Sequence, residues 1–121
     1  MKAAGVFLFY KKEGIYMEEM YQREGDRLIV RMPDEIDHHV AGTMSREIDF
    51  LADTWNVHTV VFDFSHTQFM DSSGIGVLIG RKKAMELHAG TVVARNLSGR
   101  AYKIFEKSGL ERIIAVEKEE N

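Results

Sequence analysis

The sequence contains no cysteine, which excludes a disulfide framework and any cysteine-ligated zinc site. It contains a single proline, Pro33, so a proline-rich linker or docking segment is excluded as well. It lacks an excess of basic charge. Lys and Arg number 16 against 19 Asp and Glu, a formal net charge of -3, and such a balance exerts no general pull toward nucleic-acid phosphates or anionic lipid. Neither direct nucleic-acid binding nor membrane binding is expected. Long apolar runs are missing too. The longest near the N-terminus, Ala3 to Tyr10 (AAGVFLFY), stops at Lys11 and Lys12, too short to cross a bilayer and without a small-residue cleavage site. The expected location is cytoplasmic. What is present is a chain of 121 residues that is 45% hydrophobic, enough for a packed core in one domain without metal or disulfide support.

The first segment, MKAAGVFLFYKKEGIYM, carries an apolar octet and a basic pair ahead of a second plausible start at Met17. Codons for Lys11 to Gly14 can spell a purine-rich ribosome-binding sequence just upstream of the Met17 codon. Residues 1–16 are therefore expected to be translated leader, with residues 17–121 the single domain. The alternative is an extra edge strand, because GVFLFY is β-prone.

From Arg27 the alternation in RLIVRM places Leu28, Val30 and Met32 on one face, and Pro33-Asp34 closes this strand. Val40, Met44, Ile48 and Leu51 then recur at helical spacing over about 38–54, with Asp37 as N-cap. Val57 to Phe64 is nearly continuous apolar and β-branched, as in a strand covered on both faces. A helix over about 72–88, a strand at TVVA, a helix from Ser98 to Ser108 stopped by Gly109, and a strand at RIIAV complete the chain. Alternating strands and helices predict an α/β fold with a largely parallel inner sheet of four to five strands, hairpin strands at the N-terminal side and about four helices. Trp55 reads as a packed aromatic at a helix end, and the methionines as core filler.

The helix over 72–88 contains Gly74, Gly76 and Gly80, each costing about 1 kcal/mol relative to alanine in a helix interior. Gly76 and Gly80, four apart on one face, are expected to allow close approach of a strand or helix. Such a deeply seated helix start leaves Asp71, Ser72 and Ser73 at the mouth of a loop following a central strand, where α/β sheets expose function. One of these residues suffices as an N-cap. The others leave a hydroxyl free for another molecule.

At these residues the chain resembles the STAS-domain anti-sigma factor antagonists, the sporulation (sigma-F) branch above all. EIDHH at Glu35 to His39, FMDSSGIGVLIGRKK at Phe69 to Lys83, NLS at Asn96 to Ser98 and IFEKSGL at Ile104 to Leu110 follow the family order over about residues 20–117. The resemblance implies a STAS fold and no enzymatic activity or cofactor. It implies that Ser72 is the residue phosphorylated by a partner anti-sigma factor, an ATP-dependent serine kinase. Unphosphorylated protein would bind that partner and release its sigma factor, phosphorylation would switch binding off, and a serine phosphatase would reset the cycle. The implied partner-binding set is Asp37, His38, Asp71, Ser72, Ser73, Gly74 and Arg81, with Arg81 to Lys83 a contact for an acidic patch. Asp34 stands where the family usually has glycine, which puts the turn beside this surface in question.

Three other readings are weighed against this one. A serine hydrolase would use Ser72 or Ser73 with His38, His39, His58, His66 or His88 as base, but no G-x-S-x-G elbow is present. A metal site at His38-His39 is disfavoured because adjacent helical residues point about 100° apart. A STAS module serving a stress-response or nucleotide-sensing system is the alternative within the same family.

Overall fold

The computed structural model describes residues 20–117. The proposed leader, residues 1–16, lies outside the described residues. Strands β1 (Tyr21–Glu24), β2 (Arg27–Arg31), β4 (Thr59–Asp63), β6 (Thr91–Arg95) and β7 (Ala115–Glu117) form a sheet in the order β1-β2-β4-β6-β7. β1 pairs antiparallel with β2, and all other pairs are parallel. A second, two-stranded parallel ribbon joins β3 (Glu35–Ile36) to β5 (Phe69–Met70). The helices are α1 (His38–Trp55), α2 (Ser72–Glu86) and α3 (Gly99–Ser108), followed by a 3-10 turn at Leu110–Arg112.

The mixed α/β sheet and its hairpin edge are as the alternation predicts. The described residues hold three α-helices rather than four. The 3-10 turn takes up Arg112, so the last strand starts at Ala115 rather than at Arg112. α2 ends at Glu86 rather than 88, because Ala89 adopts a left-handed backbone with φ of 60° that turns the chain into β6.

Alternate residues of the central strands supply one core face. Leu28, Val30, Val60, Phe62, Val92 and Ala94 meet Met44, Ile48 and Leu51 of α1, Val77 and Leu78 of α2, and Phe105 of α3 within one cluster. Phe64 and Phe105 pack edge to face, with centroids 5.4 Å apart and planes at 80°, a favoured aromatic geometry. Trp55 packs against this cluster at the end of α1. Gly109, at φ of 82°, forms the left-handed cap that ends α3.

Two carboxylates inside this frame titrate in opposite directions. Glu47 lies on the buried face of α1, 5% exposed, and accepts a 2.7 Å hydrogen bond from the Tyr21 hydroxyl. Burial raises its pKa, and the Tyr21 bond and nearby Arg46 offset this only in part. A folded-state pKa above the unfolded one means that the fold favours protonated Glu47. That contribution is complete below the ordinary value of 4.5 and is lost as pH rises through the raised value. Glu47→Gln keeps the acceptor and removes the buried charge, so at pH 7 it is expected to raise stability by about 1 kcal/mol. Urea unfolding at pH 7 and pH 4 tests this, since the gain should shrink at the lower pH.

Asp63, at the end of β4, behaves the other way. Burial pushes its pKa up, but hydrogen bonds from Ser65, Asn96 and Arg95 outweigh it and hold the carboxyl below its usual value. These bonds tie the carboxyl ends of β4 and β6 together. Their stability is present above the ordinary carboxylate value of 3.8 and lost as pH falls through the depressed one.

Candidate functional site

The short ribbon positions the site. Ile36 of β3 stands opposite Met70 of β5, and the next residue of each strand, Asp37 and Asp71, caps a helix. The Asp37 carboxylate accepts from the Val40 amide at 3.0 Å and the Asp71 carboxylate from the Ser73 amide at 2.7 Å, each satisfying an amide that lacks a helical partner. The Asp71 amide itself donates to the Ile36 carbonyl at 3.3 Å. Further hydrogen bonds fasten the two loops. The Thr67 hydroxyl donates to the Pro33 carbonyl at 2.9 Å, and the Gln68 and Phe69 amides donate to the Asp34 carbonyl at 2.8 and 3.2 Å. Asp34 is not among the residues with positive φ, so the turn there places no steric demand for glycine.

Gly74 explains how α2 is seated. A Cβ at this position would stand 2.2 Å from Met70 Cγ and 3.0 Å from Ile36 Cγ2, so the first turn of α2 rests directly on the ribbon. Gly76 and Gly80 do not have the packing role expected of them. A Cβ at either would meet nothing within 4 Å, and Gly76 is exposed. Helical spacing defined their shared face correctly but did not reveal that no neighbour covers it.

Seating α2 in this way leaves Ser72 exposed and Ser73 half-buried. Among the described residues, neither hydroxyl makes a hydrogen bond, because Asp71 alone does the capping. A shallow groove of about 270 Å³ runs from this point between α1 and α2, lined by His38, Ala41, Gly42, Ser45, Ser73 and Gly76. Phe69, 52% exposed, stands just ahead of the loop. Asp37, His38, Asp71, Ser72, Ser73 and Gly74 are thus brought together at two adjoining helix starts.

Arg81 is placed elsewhere. It lies nine residues further along α2, roughly 14 Å at the helical rise, with its side chain only 14% exposed. Its Nε is 2.8 Å from Asp49 Oδ1 of α1, although the N–H does not point at that oxygen. Arg81 braces the helix pair, while Lys82 pairs with Glu86 one turn on. A larger cleft of about 480 Å³, bordered by Asp49, Asp53, Asn56, Met85 and His88, opens at the opposite end of the same helices. It is remote from the free hydroxyls. No helix among the described residues is long and apolar enough to cross a membrane, and these residues contain no group of three or more His, Asp or Glu able to hold a metal ion.

The STAS domain family description matches residues 18–121, and the chain belongs to the STAS-domain family. It is 34% identical over 92 residues to the anti-sigma F factor antagonist of Lysinibacillus sphaericus, covering 76% of this chain and 77% of that protein. The solved structure of the anti-sigma factor antagonist SpoIIAA in its unphosphorylated form matches with a TM-score of 0.72 at 29% identity, covering 84% of this chain and 89% of that one. The phosphorylated form of the Bacillus cell fate determinant SpoIIAA matches at 0.65, also at 29% identity, covering 84% and 92%.

Sequence reasoning missed the β3–β5 ribbon and the buried Glu47. Glu47 was legible, because it falls on the same stripe as Met44, Ile48 and Leu51. Two-residue strands leave no periodicity to find.

Proposed function

We propose that this chain is an anti-sigma factor antagonist of the sporulation type, a regulator rather than an enzyme, whose docking to an anti-sigma factor is governed by phosphorylation of Ser72. The observation that carries this reading is the exposed Ser72 hydroxyl at the first turn of α2, without a hydrogen bond among the described residues, beside a groove open to a partner. The relatives named above support it.

In the unphosphorylated state the surface around Asp37, Asp71 and Ser72 binds the anti-sigma factor and releases its sigma factor. The anti-sigma factor acts as a serine kinase that transfers the terminal phosphoryl group of ATP to the Ser72 oxygen, releasing ADP and the hydroxyl proton. A serine phosphatase hydrolyses the ester to restore the cycle. Asp71 is occupied as a cap and holds the acceptor on a rigid helix end. Phosphate there adds about -1.5 to -2 charges at a position where a helix N-terminus favours an anion by roughly 0.3–1 kcal/mol. The fold tolerates the modification while the docking surface gains negative charge. Incubation with the cognate anti-sigma factor and ATP, followed by mass spectrometry, should place phosphate on Ser72. Phosphate on Ser73 instead would overturn the choice of acceptor.

A further inference from the structure

α1 and α2 do not merely lie near each other; they begin in register. Ile36 opposite Met70 places Asp37 beside Asp71 and makes His38, the first residue of α1, the counterpart of Ser72, the first residue of α2. Neighbouring strands lie about 4.8 Å apart, and the bond from the Asp71 amide to the Ile36 carbonyl carries the ribbon pairing up to the start of α2. His38 and Ser73 line the same groove. The His38 side chain is exposed and has no hydrogen-bond or ionic partner among the described residues.

We infer that His38 is the partner of the phosphate on this same chain, its imidazolium pairing with the phosphoserine at position 72. The inference rests on Ser72 being the acceptor. The other charged groups of β3, of the first turns of α1 and of the two caps do not compete for this role. The Asp37 and Asp71 carboxylates each accept a backbone amide of their own helix. Glu35 of β3 is exposed and of the wrong sign. His39 is rotated about 100° around the axis of α1 from His38. Arg46 comes two turns later on α1, where its guanidinium approaches Gly42.

The test uses the full chain with phosphoserine installed at position 72 during translation, followed by 31P NMR across a pH titration. A nearby cation favours the dianionic phosphate, so His38→Gln should raise the midpoint of the second phosphate ionisation by at least about 0.5 pH unit. His39→Gln should leave it unchanged, and His38→Lys, which keeps a positive charge, should not raise it. An identical midpoint in the His38→Gln and parent proteins would overturn the pairing, as would an equal rise in His39→Gln. Circular dichroism confirms that each variant is folded. Because no kinase is used, a kinase that modified another residue would refute the acceptor assignment without touching this result.

Discussion

Ser72→Asp is expected to weaken binding to the anti-sigma factor by about a thousandfold while melting within a few degrees of the parent protein. Two unit charges about 4 Å apart at an effective dielectric near 20 repel by about 4 kcal/mol, a factor of about a thousand in affinity. A partner carboxylate facing Ser72 would feel that repulsion. The folded chain would not, because a negative charge in the first turn of α2 meets the favourable end of the helix dipole. The Ser72 side chain is also exposed and without a hydrogen bond among the described residues, so nothing is broken by the substitution. Ser72→Ala should bind the partner whether or not ATP is present and accept no phosphate. Calorimetric titration and thermal melts of the two variants separate the effects. Weak binding accompanied by a large fall in Tm would indicate damage to the fold.

Gly74→Ala and Gly76→Ala, two residues apart on one helix, should move stability in opposite directions. At Gly74 the added methyl would stand 2.2 Å from Met70 Cγ and 2.8 Å from its sulfur, so either the β5 side chain or the start of α2 must shift. Overpacking of this kind costs typically 1–3 kcal/mol, and a loss of about 2 kcal/mol lowers Tm by roughly 10 °C in a domain of this size. At Gly76 the methyl meets nothing within 4 Å, so the helix propensity gain of about 1 kcal/mol is realised and Tm rises by roughly 5 °C. Thermal denaturation of the two proteins under one buffer condition decides the matter. A rise in both would remove the close contact on which the seating of Ser72 depends.

Much of this was legible in the sequence because it depends on local chemistry. Asp37, Asp71 and Ser98 are short polar residues directly ahead of apolar helical patterns, and all are N-caps. The stripe of Met44, Ile48 and Leu51 announced the buried face of α1, and the apolar run ending at Phe64 announced the central strand. The remainder depends on contacts between segments far apart in the chain. The β3–β5 ribbon contains four residues in all, yet it sets the two helix starts side by side. The pairing of Arg81 with Asp49 depends on how α1 crosses α2, and sequence alone made Arg81 a surface contact. The glycines illustrate the same limit. Gly74, Gly76 and Gly80 are equivalent in propensity, and only the position of Met70 separates the one that packs from the two that do not.

The central claim is that charge at Ser72 controls docking and leaves the fold intact. It is tested most directly by isothermal titration of the cognate anti-sigma factor with two forms of the full chain, one carrying serine and the other phosphoserine at position 72. The expected result is a loss of affinity of about a thousandfold in the phosphorylated form, with matching circular dichroism spectra. Equal affinity of the two folded forms would contradict the account.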